Sequence, residues 1–167
     1  DSKYQTFDQL LTAMKTSKVT VGTAGVNSSG GMALAAIKEA SGGELMARMI
    51  AYDGGNPAVV AASTGEVEAT TQLAVEQTEM IKAGRLRALA VLSDAPLLVA
   101  GIDPVPPITD FLPNMKISAD YFGVFIPVGA PAEVYETVTK IWKEKVMTSQ
   151  ALQDYASERG AVFAPSY

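Results

Sequence analysis

Short apolar segments alternate with helix-like segments through the first half of the chain, and this alternation constrains the fold more than any other feature. Residues 19–24, 45–51, 66–70 and 86–92 have the length and the apolar or β-branched content of strands. A helix between two strands favours parallel pairing, because it returns the chain to the same edge of the sheet. The sequence therefore predicts an α/β fold with a mostly parallel sheet flanked by helices.

The helices are indicated by apolar spacing and by end signals. Residues 6–15 place apolar side chains at i, i+3, i+4 and i+7, and further helices are predicted at 32–40, 57–63 and 74–83. Asn56 precedes a proline and is predicted to cap the helix at 57–63.

The second half of the chain is less regular. Five of the nine prolines fall within residues 93–115, which predicts an irregular connection. Residues 117–127 are expected to be extended. Helices are predicted from Pro131 onward and at 149–160, and a last short strand at 161–164.

The composition excludes several functions. The 167-residue chain has neither Cys nor His, which removes thiolate chemistry, imidazole bases and the usual zinc ligands. We therefore expect no enzymatic activity, no catalytic residue, no metal and no cofactor. A net charge of -5 offers no basic surface to nucleic acid. No apolar run is long enough for direct membrane insertion, and the first residues lack the pattern of a signal peptide.

The loop at residues 23–31 is the first candidate binding site. Its glycines allow a ligand to approach the backbone, and Thr23, Asn27, Ser28 and Ser29 add hydroxyl and amide groups. The helix that follows contributes unpaired N–H groups and partial positive charge. The loop suits a carboxylate or a phosphate. The alternative is a plain turn in which the polar residues only cap the helix.

Two further strand ends would meet the same crevice, because ligands of open α/β sheets bind outside the carboxyl ends of the strands. Tyr52, Gly54 and Gly55 follow the second strand, and Thr71 and Gln72 follow the third. A capped turn is the simpler alternative for the first group, and a solvent-exposed strand end is the simpler alternative for the second.

Nucleotide binding is disfavoured. No Lys-Ser/Thr pair follows the glycines of the first loop, and the spacing of Gly25 and Gly30 does not match a dinucleotide fingerprint. Glu66 and Glu68 are interpreted as the solvated face of a strand rather than as a glycosidase carboxylate pair.

Five motifs occur in a characteristic order. They are GTAGVNSSG at 22–30, YDGGNPAV at 52–59, GEVE at 65–68, IKAGRLRALAV at 81–91 and FGVFIPVGAP at 122–131. Together they resemble the substrate-binding receptors of tripartite tricarboxylate transporters, the TctC or Bug family. The last two motifs carry the most specific part of the resemblance, which extends over nearly the whole chain.

The resemblance implies a lobe like those of type 2 periplasmic binding proteins, in which two lobes close on a small organic acid. Residues 1–125 would form the second, ligand-binding lobe. Residues 126–167 would form the hinge return and the C-terminal helices that pack on the first lobe, whose opening segment the sequence lacks. The implied function is a periplasmic, extracytoplasmic solute-binding receptor that delivers a small carboxylate to membrane permease subunits.

The resemblance also implies a set of ligand-binding residues at the three strand ends. These are Thr23, Ala24, Gly25, Asn27, Ser28, Ser29, Tyr52, Gly54, Gly55, Thr71 and Gln72. Asp53 stands where the family usually has Lys, and Gln72 stands near its frequent Asp. These departures leave the identity of the carboxylate open.

Three other functions compete with this interpretation. The effector-binding domain of a LysR-type transcription regulator has a related two-lobe fold. The second is a carboxylate-based hydrolase or isomerase, which is disfavoured because the chain has neither His nor Cys. The third is an α/β domain that serves as a scaffold and whose loops bind no ligand.

Overall fold

Three parallel strands form the centre of the fold in a computed structural model, which describes residues 2–118 and 120–166. They are β1 (Val19–Thr23), β2 (Ala47–Ala51) and β3 (Ala69–Thr70), in the order β2-β1-β3. Val19 pairs with Ala47 at the start of the register. The predicted α/β class with a parallel sheet is confirmed.

Helices connect the strands and complete the second half of the chain. They are α1 (Phe7–Thr16), α2 (Ser29–Ala40), α3 (Gly55–Thr64), α4 (Ala74–Lys82), α5 (Ala132–Ile141) and α6 (Gln150–Arg159). A 3-10 turn spans Ile108–Asp110, and a π-helical turn, Trp142–Val146, extends α5. The third of these helices begins earlier than predicted: Gly54 occupies the N-cap, so Asn56 lies inside α3 and does not cap it.

The hydrophobic core joins the first half of the chain to the proline-rich segment. The apolar face of α1 packs with buried residues of β1 and α2 and with the segment at 108–115. Ile108, Val19 and Val21 are fully buried. This core lies on one side of the sheet and leaves the carboxyl ends of the strands to the loops.

The amino end of the sheet is braced by α1 and by Glu68. The main-chain N–H of Met46 donates to the carbonyl of Met14 at 2.7 Å. The Glu68 carboxylate accepts from the Thr20 main-chain N–H at 2.9 Å and forms an ion pair with Lys3. Glu68 precedes β3 and holds β1, so its interpretation as part of a solvated strand face was wrong.

Two predicted strands are not formed. Val91, in the segment at 86–92, makes only a single parallel bridge with Pro107. A ladder cannot continue there because Pro104, Pro106 and Pro107 have no N–H to donate. The segment at 161–164 pairs with no other strand among the described residues, and the Ala161 N–H instead closes the end of α6 on the carbonyl of Ala156 at 2.8 Å.

The last third of the chain is attached mainly through α6. Thr78 on α4 donates its hydroxyl hydrogen to the Arg159 carbonyl at 3.0 Å, and Lys82 donates to the Glu158 carbonyl at 3.1 Å. By contrast, α5 has no buried residue. Among the residues described, no helix is both long and apolar enough to cross a bilayer.

Candidate functional site

The three strand ends meet at the carboxyl edge of the sheet, as their parallel order requires. The Tyr52 N–H donates to the Thr23 carbonyl at 2.8 Å, which joins the loop after β2 to the end of β1. On the other side, the Thr71 N–H donates to the Gly22 carbonyl at 3.4 Å. The structure therefore brings together the three groups of residues that the sequence singles out.

Polar side chains in the first loop mainly shape the loop itself. Thr23 is fully buried, and its hydroxyl accepts from the Gly25 N–H at 3.1 Å. Ser28 donates to the Gly25 carbonyl at 2.7 Å and accepts from the Gly31 N–H at 3.1 Å, so it is the N-cap of α2. The Ser28 hydroxyl both donates and accepts within the loop, and Thr23 is buried, so neither hydroxyl faces a ligand.

The groups left for a ligand are mostly main-chain N–H groups. Within residues 2–118 and 120–166, the N–H groups of Val26, Asn27, Ser29 and Gly30 have no protein acceptor. The Asn27 side chain is exposed beside them. Unpaired N–H groups before a helix of 12 residues, with the helix dipole behind them, suit an anion.

Thr71 packs closely against the start of α2. A Cβ placed on Gly30 would overlap the Thr71 carbonyl, and the Thr71 hydroxyl donates to the Gly30 carbonyl at 2.7 Å. Glycine at this position therefore allows β3 to approach α2. The role of Thr71 is to hold the first loop against the sheet.

Gln72 bridges the first loop to α4. With its side-chain amide turned to satisfy both neighbours, its oxygen accepts from the Ala24 N–H at 2.7 Å and its nitrogen donates to Glu76 at 3.1 Å. The Ala24 N–H is therefore occupied. Gln72 contributes to the site by fixing the loop, as Thr71 does.

The second loop contributes backbone rather than side chains. Gly54 has a φ of 110°, a conformation that favours glycine, and it is the N-cap of α3. Gly55 is buried with the Glu76 carboxylate lying against it. The Tyr52 hydroxyl donates to Glu66 at 2.7 Å, and this hydrogen bond raises the pKa of Tyr52. The polar end of Tyr52 is thus engaged with a residue that precedes β3.

Two carboxylates at this edge were missed by sequence reasoning. Glu76 lies in the first turn of α4, and its carboxylate accepts from the side-chain amide of Gln72, which precedes the helix. Asp120 accepts from the Ser29 hydroxyl at 2.9 Å. No local pattern could reveal that contact, because the two residues are 91 positions apart.

The sequence of this α/β chain matches a known family. The family model described as tripartite tricarboxylate transporter family receptor, or TctC, covers residues 1–163. The chain belongs to this family. The resemblance carried by the five motifs is therefore confirmed. No curated protein matches the sequence.

Solved structures place the TctC-family chain in the same fold as periplasmic binding proteins. A TctC solute-binding protein from Polaromonas has 28% identity and a TM-score of 0.71, over 98% of this chain and 55% of its own. A periplasmic transporter has 21% identity and a TM-score of 0.81, over 97% and 53%. The R. palustris protein Rpa4515, solved with adipate, has 20% identity and a TM-score of 0.76, over 96% and 54%. The chain thus spans about half the length of these structures.

Proposed function

We propose that this TctC-family chain is the ligand-binding lobe of a periplasmic solute-binding receptor. The receptor captures a small carboxylate and delivers it to the membrane permease subunits of a tripartite tricarboxylate-type transporter. The observation that carries the proposal is the set of unpaired N–H groups at Val26, Asn27, Ser29 and Gly30, on a chain whose family is that of such receptors. The family match favours this function over a LysR-type effector domain and over an enzyme.

The loop binds one carboxylate of the ligand. The N–H groups of Asn27 and Ser29 donate to its oxygens, and the dipole of α2 stabilises its charge. The Asn27 amide and the Ser29 hydroxyl lie at the same loop and add neutral hydrogen bonds. Ser28, Thr71 and Gln72 hold this loop in shape, so that little ordering is needed when the ligand arrives.

The second carboxylate of the ligand binds to a first lobe. In this proposal residues 1–125 form the second lobe and residues 126–167 return toward the first. Large apolar side chains at 121–128 support this division: Tyr121 is 91% exposed and Phe125 is 90% exposed. Exposed apolar surface of this extent is typical of an interface. The solved neighbours are roughly twice as long as this chain, and a first lobe in the remaining length would cover these side chains.

A linear dicarboxylate is the first ligand to test. Adipate is present in one of the solved structures with this fold, and a molecule with a carboxylate at each end would span two lobes. We expect weak binding to this chain alone, because one lobe provides only part of the contacts while the ligand still loses its translational freedom.

An amide NMR titration of the 167-residue chain with adipate, succinate and citrate tests the proposal. Saturable shifts should be confined to residues 24–31 and 52–56. Asn27→Ala should weaken binding, because it removes a side-chain hydrogen bond to the ligand and leaves the contact of Ser29 with Asp120 in place. Ser63→Ala should not, because Ser63 lies in the last turn of α3 and donates to the Val60 carbonyl. Shifts scattered over the whole surface, or equal affinity in both variants, would contradict a carboxylate site at this loop.

A further inference from the structure

Two side-chain carboxylates of the chain lie at the carboxyl edge of the sheet, and each contacts the first residue of a helix. Asp120 Oδ1 accepts from the hydroxyl of Ser29, the first residue of α2, at 2.9 Å. Both carboxylate oxygens of Glu76 lie against Gly55, the first residue of α3. The carboxylates of Asp120 and Glu76 therefore lie where the helix dipoles attract negative charge.

The two carboxylates are held differently. Glu76 is half-buried on α4 and accepts from the Gln72 amide, which itself holds the Ala24 N–H. Asp120 is exposed and lies in the irregular stretch before α5. Its contact with Ser29 joins residues 91 positions apart by one hydrogen bond. An exposed charged contact of this kind contributes little and breaks easily, so Asp120 is the carboxylate that can leave.

We propose that Asp120 competes with the ligand for the first loop. Its carboxylate binds the Ser29 hydroxyl in the same way as the carboxylate of an incoming organic acid would, and the ligand must displace it. This inference rests on the proposed function of the loop. It assigns to the Asp120 carboxylate the role of an internal substitute for the ligand, which sets the apparent affinity.

The competition has a direct consequence for the apparent affinity. The ligand binds only the fraction of molecules in which Ser29 is free, so the measured Kd is raised by the inverse of that fraction. Asp120→Asn keeps the size of the side chain and removes its charge. From the range measured for exposed charged contacts, we expect this variant to bind about two- to fivefold more tightly.

Glu76 is expected to behave in the opposite way. Because its carboxylate orients the Gln72 amide on the Ala24 N–H, Glu76→Gln should loosen the loop and weaken binding. The two acidic residues thus give changes of opposite sign. A general repulsion between the acidic chain and an acidic ligand would instead give tighter binding in both variants.

The test is the same adipate titration, applied to the wild-type chain, Asp120→Asn, Glu76→Gln and Asp8→Asn. Asp8 is a matched control, because it is exposed on α1, which braces the opposite edge of the sheet. The expected result is a lower Kd for Asp120→Asn alone, with the Asp120 carboxyl carbon of the wild type shifting at the same adipate concentrations as the loop amides.

The outcomes separate the two proposals. Equal Kd values for wild type and Asp120→Asn, with the loop amides responding in both, would overturn the competition and leave the carboxylate site standing. Loop amides that do not respond even in Asp120→Asn would overturn the proposed function and the competition together. A tighter Kd for Asp8→Asn would attribute the effect to net charge and also overturn the competition.

Discussion

Gly30→Ala tests whether the contact between β3 and α2 determines the shape of the binding loop. Replacing glycine by alanine in a helix normally increases stability, by about 1 kcal/mol at an interior position. Here the added Cβ overlaps the main-chain carbonyl of Thr71. The two effects have opposite signs, so their magnitudes decide the outcome.

The steric cost should exceed the gain in helix stability. The obstructing atom is a backbone carbonyl, so it cannot rotate away as a flexible side chain would. Relief requires moving β3, whose two residues pair with β1, or losing the 2.7 Å bond from Thr71 to the Gly30 carbonyl. Overpacking of this kind costs roughly 1–3 kcal/mol. Because the helix gain is small at this end position, we expect a net loss of about 1–2 kcal/mol.

Thermal unfolding followed by circular dichroism measures this loss. For a chain of this size each 1 kcal/mol corresponds to roughly 2–4 °C in Tm, so Gly30→Ala should unfold about 2–8 °C lower. Gly123→Ala is the control, because a Cβ there meets only the Phe125 ring at 3.4 Å, an ordinary contact. A Tm for Gly30→Ala equal to or above that of wild type would refute the argument from the Thr71 carbonyl.

Three further predictions concern the core, the amino edge and the exposed apolar segment. Ile108→Ala empties a fully buried position and should lower the free energy of unfolding by about 2–5 kcal/mol in urea denaturation. Burial acts to raise the pKa of Glu68, but hydrogen bonds from Lys3 and the Thr20 N–H outweigh it and the pKa is lowered. The stabilisation by its charge is therefore present above pH 4.5 and lost as the pH falls through the lower folded value; Glu68→Gln should cost about 1–2 kcal/mol at pH 7, and this cost should shrink in acid. Phe125→Ser should leave the Tm within about 1–2 °C in the same thermal assay, since its ring is 90% exposed.

The parallel α/β core was predictable because its signals are local. Each of the strands β1 and β2 is a short segment of mostly apolar or β-branched residues, followed by a loop with glycine or serine and then a helix. The loops at the three strand ends follow from the same order, since parallel strands place their carboxyl ends along one edge. The candidate site was located in this way without any knowledge of side-chain contacts.

The predictions failed where contacts between distant segments decide the structure. Residues 86–92 have a strand-like sequence, but the segment that they meet contains prolines and cannot donate. The assignment of Thr23, Ser28 and Thr71 to a ligand site stays a prediction, and in the structure their hydroxyls bond to backbone groups. The position of Glu76 depends on its packing against Gly55, and that of Asp120 on its long-range contact with Ser29.

The attachment of α6 to α4 has a consequence for the order of folding. The bond from Thr78 to the Arg159 carbonyl closes a loop of 81 residues, whereas β1, α2 and β2 are neighbours in sequence. Closing a long loop has an entropic cost. The contacts of α6 can offset this cost only after α4 has formed. During synthesis the strands, α1–α4 and the core segment at 108–115 emerge before α6 and can collapse without it. The chain end then docks last, and should be the first part to detach when the protein is destabilised.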